Sequence, residues 1–254
     1  MSNPITILSQ KSGVRHLAIY LGILFWLIFG LYLDGTSMAE KISYGQWVTN
    51  IFTIIFFLWI YLGASRKNKK IILYGVVIAF GGEVVFSLLL GMYTYRLGTL
   101  PVYVPLGHTI IYMGVYYFTK EPVVLAHKDQ IVKTLYPLMI IYAAGWLILQ
   151  NDLFGFLCAM VILLLFKRRP NSRLFFLVMF FVIAYLELLG TYFQAWHWPP
   201  IWFDKFSLVP SANPPSAISV FYFAFDAGCL WAYRRLNPIK WQRFRRMNAH
   251  TSSL

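Results

Sequence analysis

Glu83, Glu187 and Asp226 lie inside long apolar runs, where a carboxyl group is out of place. A charge at the centre of a bilayer costs roughly 2.5–3.5 kcal/mol on insertion scales. Low dielectric favours the neutral acid, and neighbouring carboxyls separate into one acid and one base. Such a set can pass a proton to an apolar substrate and take one back. The structural alternative is a group of neutral carboxyls that hydrogen-bond helix to helix. His108 follows Pro105 at the start of a later apolar run and adds a side chain whose unperturbed pKa lies near neutrality.

Other residues fit the lining of such a site. Tyr93 and Tyr95 follow Glu83, and Trp196-His197-Trp198 follows Glu187; aromatic faces stabilise a cation. His197 suits an interface as well as a site. Arg96 can pair with an intramembrane carboxylate or hold an anionic headgroup, and Asn213 can donate a hydrogen bond into the site. These residues are the predicted catalytic set (Glu83, His108, Glu187, Asp226) and substrate-binding set (Tyr93, Tyr95, Arg96, Trp196, His197, Trp198, Asn213). The same four catalytic residues would make a mixed O/N shell for a divalent metal. No close-spaced ligand motif accompanies them, so no cofactor is predicted and a metal stays the alternative. Phosphate loops, dinucleotide fingerprints and nucleophile elbows are absent from the sequence.

The elements that must carry these residues follow from composition. The 254 residues are 59% hydrophobic and 12% charged, with a mean hydropathy of +0.63. A soluble domain has about 25% charged residues. An all-α, multi-pass membrane protein is expected. Eight apolar segments are predicted to span, near 17–33, 46–64, 71–92, 104–118, 134–149, 153–166, 174–193 and 216–233, with the fourth and sixth short for a span of about 20 residues. The first reads as an uncleaved helix rather than a signal peptide. Residues 1–254 form one transmembrane domain, and 237–254 form a basic tail suited to the cytoplasmic leaflet or to fixing topology.

The net charge of +13 does not point to nucleic acid, because the basic residues cluster between apolar runs. With both termini in the cytoplasm, all of the 22 Lys and Arg except Lys41, Arg96 and Lys205 face inward. Membrane lipids and a hydrophobic small molecule are the expected partners, and a bacterial inner membrane the expected location. The oligomeric state is not legible. Cys158 and Cys229 fall within spans and read as small apolar packers.

The two halves echo each other. Glu83 lies 13 residues after Lys70 and Glu187 14 residues after Arg173. At 1.5 Å per residue both sit roughly 20 Å above the basic loops. Asp226 is expected at a similar depth. Each glutamate is followed by a small residue, aromatics, a Pro-bearing loop and a helix start. The pattern suggests an internal repeat with a site where its halves meet.

The stretch Glu83…Gly91-x-Tyr93-x-Tyr95…Leu100…Val104-Pro105-Leu106 resembles membrane carotenoid hydratases of the bisanhydrobacterioruberin type, which carry an acid, a G-x-Y-x-Y run and a V-P-L helix start. Glu187 with Trp196-His197-Trp198, and Val209-Pro210 with Asn213, are similar to later features of that family. His108 and the Asn213-Pro214-Pro215-Ser216 run depart from it. The resemblance implies acid-catalysed hydration or rearrangement of an isoprenoid double bond. The leading expectation is an integral membrane enzyme acting on a lipid or isoprenoid by carboxylate acid/base chemistry. The alternatives are a proton-coupled transporter and a non-catalytic assembly factor.

Overall fold

The computed structural model describes residues 4–239, with side chains from residue 13. All eight apolar segments are helical, as α1 (Pro4–Asp34), α3 (Gly45–Leu62), α4 (Arg66–Glu83), α5 (Tyr103–Phe118), α7 (Lys128–Gln150), α8 (Leu153–Arg168), α9 (Arg173–Tyr192) and α10 (Phe221–Leu236). Two short helices, α2 (Thr36–Ala39) and α6 (Pro122–Ala126), lie in connections. Among the described residues, five helical stretches are long and apolar enough to cross a membrane, as expected of an integral membrane protein. The other three, α5, α8 and α10, have 16 residues each. Sixteen residues rise about 24 Å, short of a hydrocarbon core of about 30 Å. The basic tail lies almost entirely outside the described residues.

Local signals set the helix ends. The Ser65 hydroxyl caps α4 by accepting from Asn68 N, and Asp152 caps α8 by accepting from Gly155 N at 3.1 Å. Asn151 takes a left-handed conformation to close α7. Beyond Glu83 the α4 helix widens into a π-helical segment, Val84–Leu89.

The outward faces are as apolar as the core. On α1, Ile19, Ile23, Trp26 and Leu27 are buried while Leu17, Leu21, Phe25 and Ile28 are exposed. A helix that is hydrophobic all round fits a protein core or lipid. The most enclosed helix is α5, packed by α1, α3, α4 and α9. Small residues allow that density. A Cβ on Gly107 would stand 2.6 Å from the Trp26 ring, and one on Gly114 would stand 2.3 Å from Ile23. Cys158 and Cys229 are free and buried.

One end of the bundle carries the basic loops; the opposite end carries the aromatic loops. The aromatic, Pro-bearing loops form two small antiparallel ladders, which an all-α expectation does not include. Strand β1 (Thr94–Tyr95) pairs with β2 (Trp196–His197), and β3 (Ile201–Trp202) pairs with β4 (Phe206–Pro210). The first ladder joins the two halves directly, with Thr94 opposite His197 and Tyr95 opposite Trp196.

The halves also share an anchor not anticipated from sequence. Asp34, at the end of α1, is fully buried and accepts from Tyr103 Oη at 2.8 Å and Gln46 Nε2 at 3.1 Å. Asp152, just beyond α7, is fully buried and accepts from Ser216 N at 2.7 Å and Ala212 N at 3.1 Å. In each half a carboxylate after the first long helix therefore ties down the chain leading into the last.

Candidate functional site

Strand alternation selects which loop residues reach the acids. Residues two apart on a strand share a face. Tyr93 and Tyr95 donate to the same oxygen of Glu83, Oε2, at 2.7 and 2.6 Å. Trp196 and Trp198 donate their indole N–H groups to Glu187 Oε2 at 2.9 and 3.0 Å. Each glutamate thus takes two aromatic donors from the loop that follows it. The Tyr93 and Trp198 rings stand 4.6 Å apart, linking the two sets.

The same alternation removes two predicted site residues. His197 points the other way and is exposed, with Nδ1 at 3.0 Å from Asn213 Nδ2. Arg96 turns to the far side of β1 and pairs with Asp34 at 2.8 Å; it meets none of the three intramembrane acids. Asn213 does not line the cavity. Its Oδ1 accepts from Trp198 N at 3.0 Å and so holds the strand that carries a Glu187 donor.

His108 lies one turn into α5. Its Nε2 is 2.7 Å from Glu83 Oε1, and its Nδ1 is 2.7 Å from Tyr222 Oη. A carboxylate only accepts, so Nε2 carries the proton shared with Glu83, and Nδ1 of the neutral ring then accepts from Tyr222. Glu83, His108 and Tyr222 form a continuous chain of proton donors and acceptors. Tyr222 was not singled out in the sequence. A spacing signal was present: His108 and Tyr112 are four apart on α5, as are Tyr222 and Asp226 on α10, so the helices meet in two rungs a turn apart.

Asp226 occupies the second rung and not the site. It accepts from Tyr112 Oη at 2.6 Å and does not line the cavity. It stands one turn along α10 from Tyr222; residues before Phe221 form a bend and a 3₁₀ turn, so α10 begins later than the apolar run. Phe225 packs against the rings of His108, Tyr112 and Tyr222.

Glu83, His108, Tyr222 and Glu187 line one cavity of about 240 Å³, walled by Tyr93, Tyr95, Trp196, Trp198, Trp26 and mostly apolar residues. Glu83 is buried and takes three donors. Glu187 is half-buried, and its Oε1 has no hydrogen bond among the described residues. Burial, and next the Glu83 carboxylate, push the Tyr93 and Tyr95 phenols well above the usual tyrosine range, which keeps both as donors. No group of three or more His, Cys, Asp or Glu among the described residues is placed to hold a metal ion, and the four residues of the expected shell are divided between the two rungs and Glu187.

No family model, curated protein or solved structure matches this chain.

Proposed function

We propose that this is an integral membrane enzyme that adds water to, or shifts, a double bond in a lipid or isoprenoid substrate. The observation that carries the reading is the convergence of the Glu83–His108–Tyr222 chain and the open oxygen of Glu187 on one apolar cavity. In this reading Glu187 is the acid. Glu187 lines the cavity and its Oε1 has no hydrogen bond among the described residues, while Oε2 is held by two indoles. Proton transfer from Oε1 to the double bond leaves a carbocation, which the faces of Tyr93 and Trp198 stabilise. Water adds to the cation, and its proton passes to Tyr222 as Tyr222 hands its own to His108 Nδ1. In an isomerisation the same group removes a proton from the neighbouring carbon. Return of the proton from His108 to Glu187 resets the site.

The resemblance to carotenoid hydratases supports an isoprenoid as substrate. The charge distribution supports eight spans with both termini in the cytoplasm and the site toward the outer side, in a bacterial inner membrane.

The test is lipid profiling by mass spectrometry of cells that supply isoprenoid polyenes and express the full chain. A product heavier by one water, or an isomer, is expected with the wild type and lost in Glu83→Gln and Glu187→Gln. Full product in both variants overturns the acid/base reading. Unchanged lipids together with solute uptake that collapses with the proton gradient would replace it with transport.

A further inference from the structure

The cavity is partly open, and its 240 Å³ lies below the roughly 300–1,000 Å³ of pockets that enclose a drug-sized ligand. A long lipid does not fit inside it whole. The wall thins where α4 passes α10. Gly82 and Ala224 both line the cavity, yet Ala224 is also exposed. A Cβ placed on Gly82 meets no atom within 4 Å. On one side of this gap Phe86 packs edge-on to Phe221, with ring centroids 4.9 Å apart. On the other, Ile78 closes on Gly228, 3.3 Å from where a Cβ would stand. Around the gap Val77, Phe80 and Trp231 present exposed apolar surface, and α4 belongs to a stretch apolar enough to cross a membrane. The opening therefore gives onto an apolar outer surface.

We infer that the gap between Gly82 and Ala224 is a lateral portal that admits a long hydrocarbon chain from the bilayer. The reacting segment occupies the cavity while the rest of the chain stays in lipid. Selection then acts on the position of the reactive group along the chain. Glu83, adjacent to Gly82, stands beside the chain where it passes in. This inference rests on the cavity being the substrate site and adds the route and the ligand class.

The probe is a long-chain fatty alcohol with a mid-chain diazirine, photolysed with the full-length protein in nanodiscs and mapped by peptide mass spectrometry. Labelling is expected at Phe86, Tyr93, Phe221 or Tyr222 in the wild type. It falls to background in Gly82→Trp and persists in Gly81→Trp, whose exposed position does not line the cavity. Ala224→Phe closes the gap from the other side and decides the matter should Gly82→Trp fail to fold. Cavity labelling that survives in a folded portal variant, or none in the wild type, overturns the portal. Glu83→Gln and Glu187→Gln keep the label, because they leave the gap open. Loss of chemistry without loss of labelling, and the reverse, thus separate the two readings.

Discussion

Tyr95 and Trp196 are register partners across β1 and β2, and each donates its side-chain proton to the glutamate of its own half, Tyr95 to Glu83 at 2.6 Å and Trp196 to Glu187 at 2.9 Å. The ladder therefore sets both acids at once. Trp196 can reach Glu187 because Gly190 leaves room: a Cβ there would stand 1.9 Å from the indole ring. Gly190→Ala is expected to unseat Trp196 and to cost about 1–3 kcal/mol, the usual range for overpacking. Thermal unfolding in detergent and tryptophan emission report it; an unchanged melting temperature would show that the ladder yields freely.

The two rungs between α5 and α10 should separate chemistry from stability. Tyr222→Phe removes the hydroxyl bonded to His108 and is expected to lower turnover by about 10²–10⁴-fold, the range for a positioned acid or base. Tyr112→Phe removes the bond to Asp226 and is expected to cost about 1–2 kcal/mol, with turnover per folded molecule near wild type. Equal loss of turnover in both variants would place Asp226 in the mechanism after all.

Arg96 is the partner of a carboxylate with no exposed side-chain surface, and is itself 15% exposed. Arg96→Ala leaves Asp34 buried with Tyr103 and Gln46 as its remaining side-chain donors. Removing one member of a buried pair costs about 3–5 kcal/mol, because the other charge is stranded. Arg96→Ala/Asp34→Asn should recover part of that loss, since an amide carries no charge to strand. Denaturation midpoints for the two variants decide it; a double variant no more stable than the single one would contradict the pairing.

Much of this was readable in the chain. Apolar run length locates all eight long helices, and the misplaced acids lead to the cavity through Glu83 and Glu187. The echo of acid, Tyr-x-Tyr and acid, Trp-x-Trp is visible because period-two spacing needs no tertiary knowledge. What the spacing hides is direction. His197 and Arg96 sit beside the right residues in sequence but on the wrong strand face, and Asp226 sits one rung off because the start of α10 depends on a turn with no strong signal. Asp34 and Asp152 lie at the ends of apolar runs, where a carboxylate looks solvated. Their burial arises only when the aromatic loops fold over them.

The Tyr93 and Tyr95 phenols make a pH-dependent prediction with a definite sign. Burial first, and then the Glu83 carboxylate, raise both well above the ordinary value of about 10. Below that value the folded and unfolded chains both hold these protons, and the contribution to stability is complete. Above it the unfolded chain releases them while the folded chain retains them, so stability falls as pH rises. Melting temperatures measured between about pH 8 and about pH 11 should therefore drop more steeply for the wild type than for Tyr93→Phe/Tyr95→Phe, which has no phenol at either position. The double variant starts lower, having lost two hydrogen bonds to a carboxylate, but the slope is what tests the idea. Parallel curves would mean that these hydroxyls are not held against Glu83 in the folded protein.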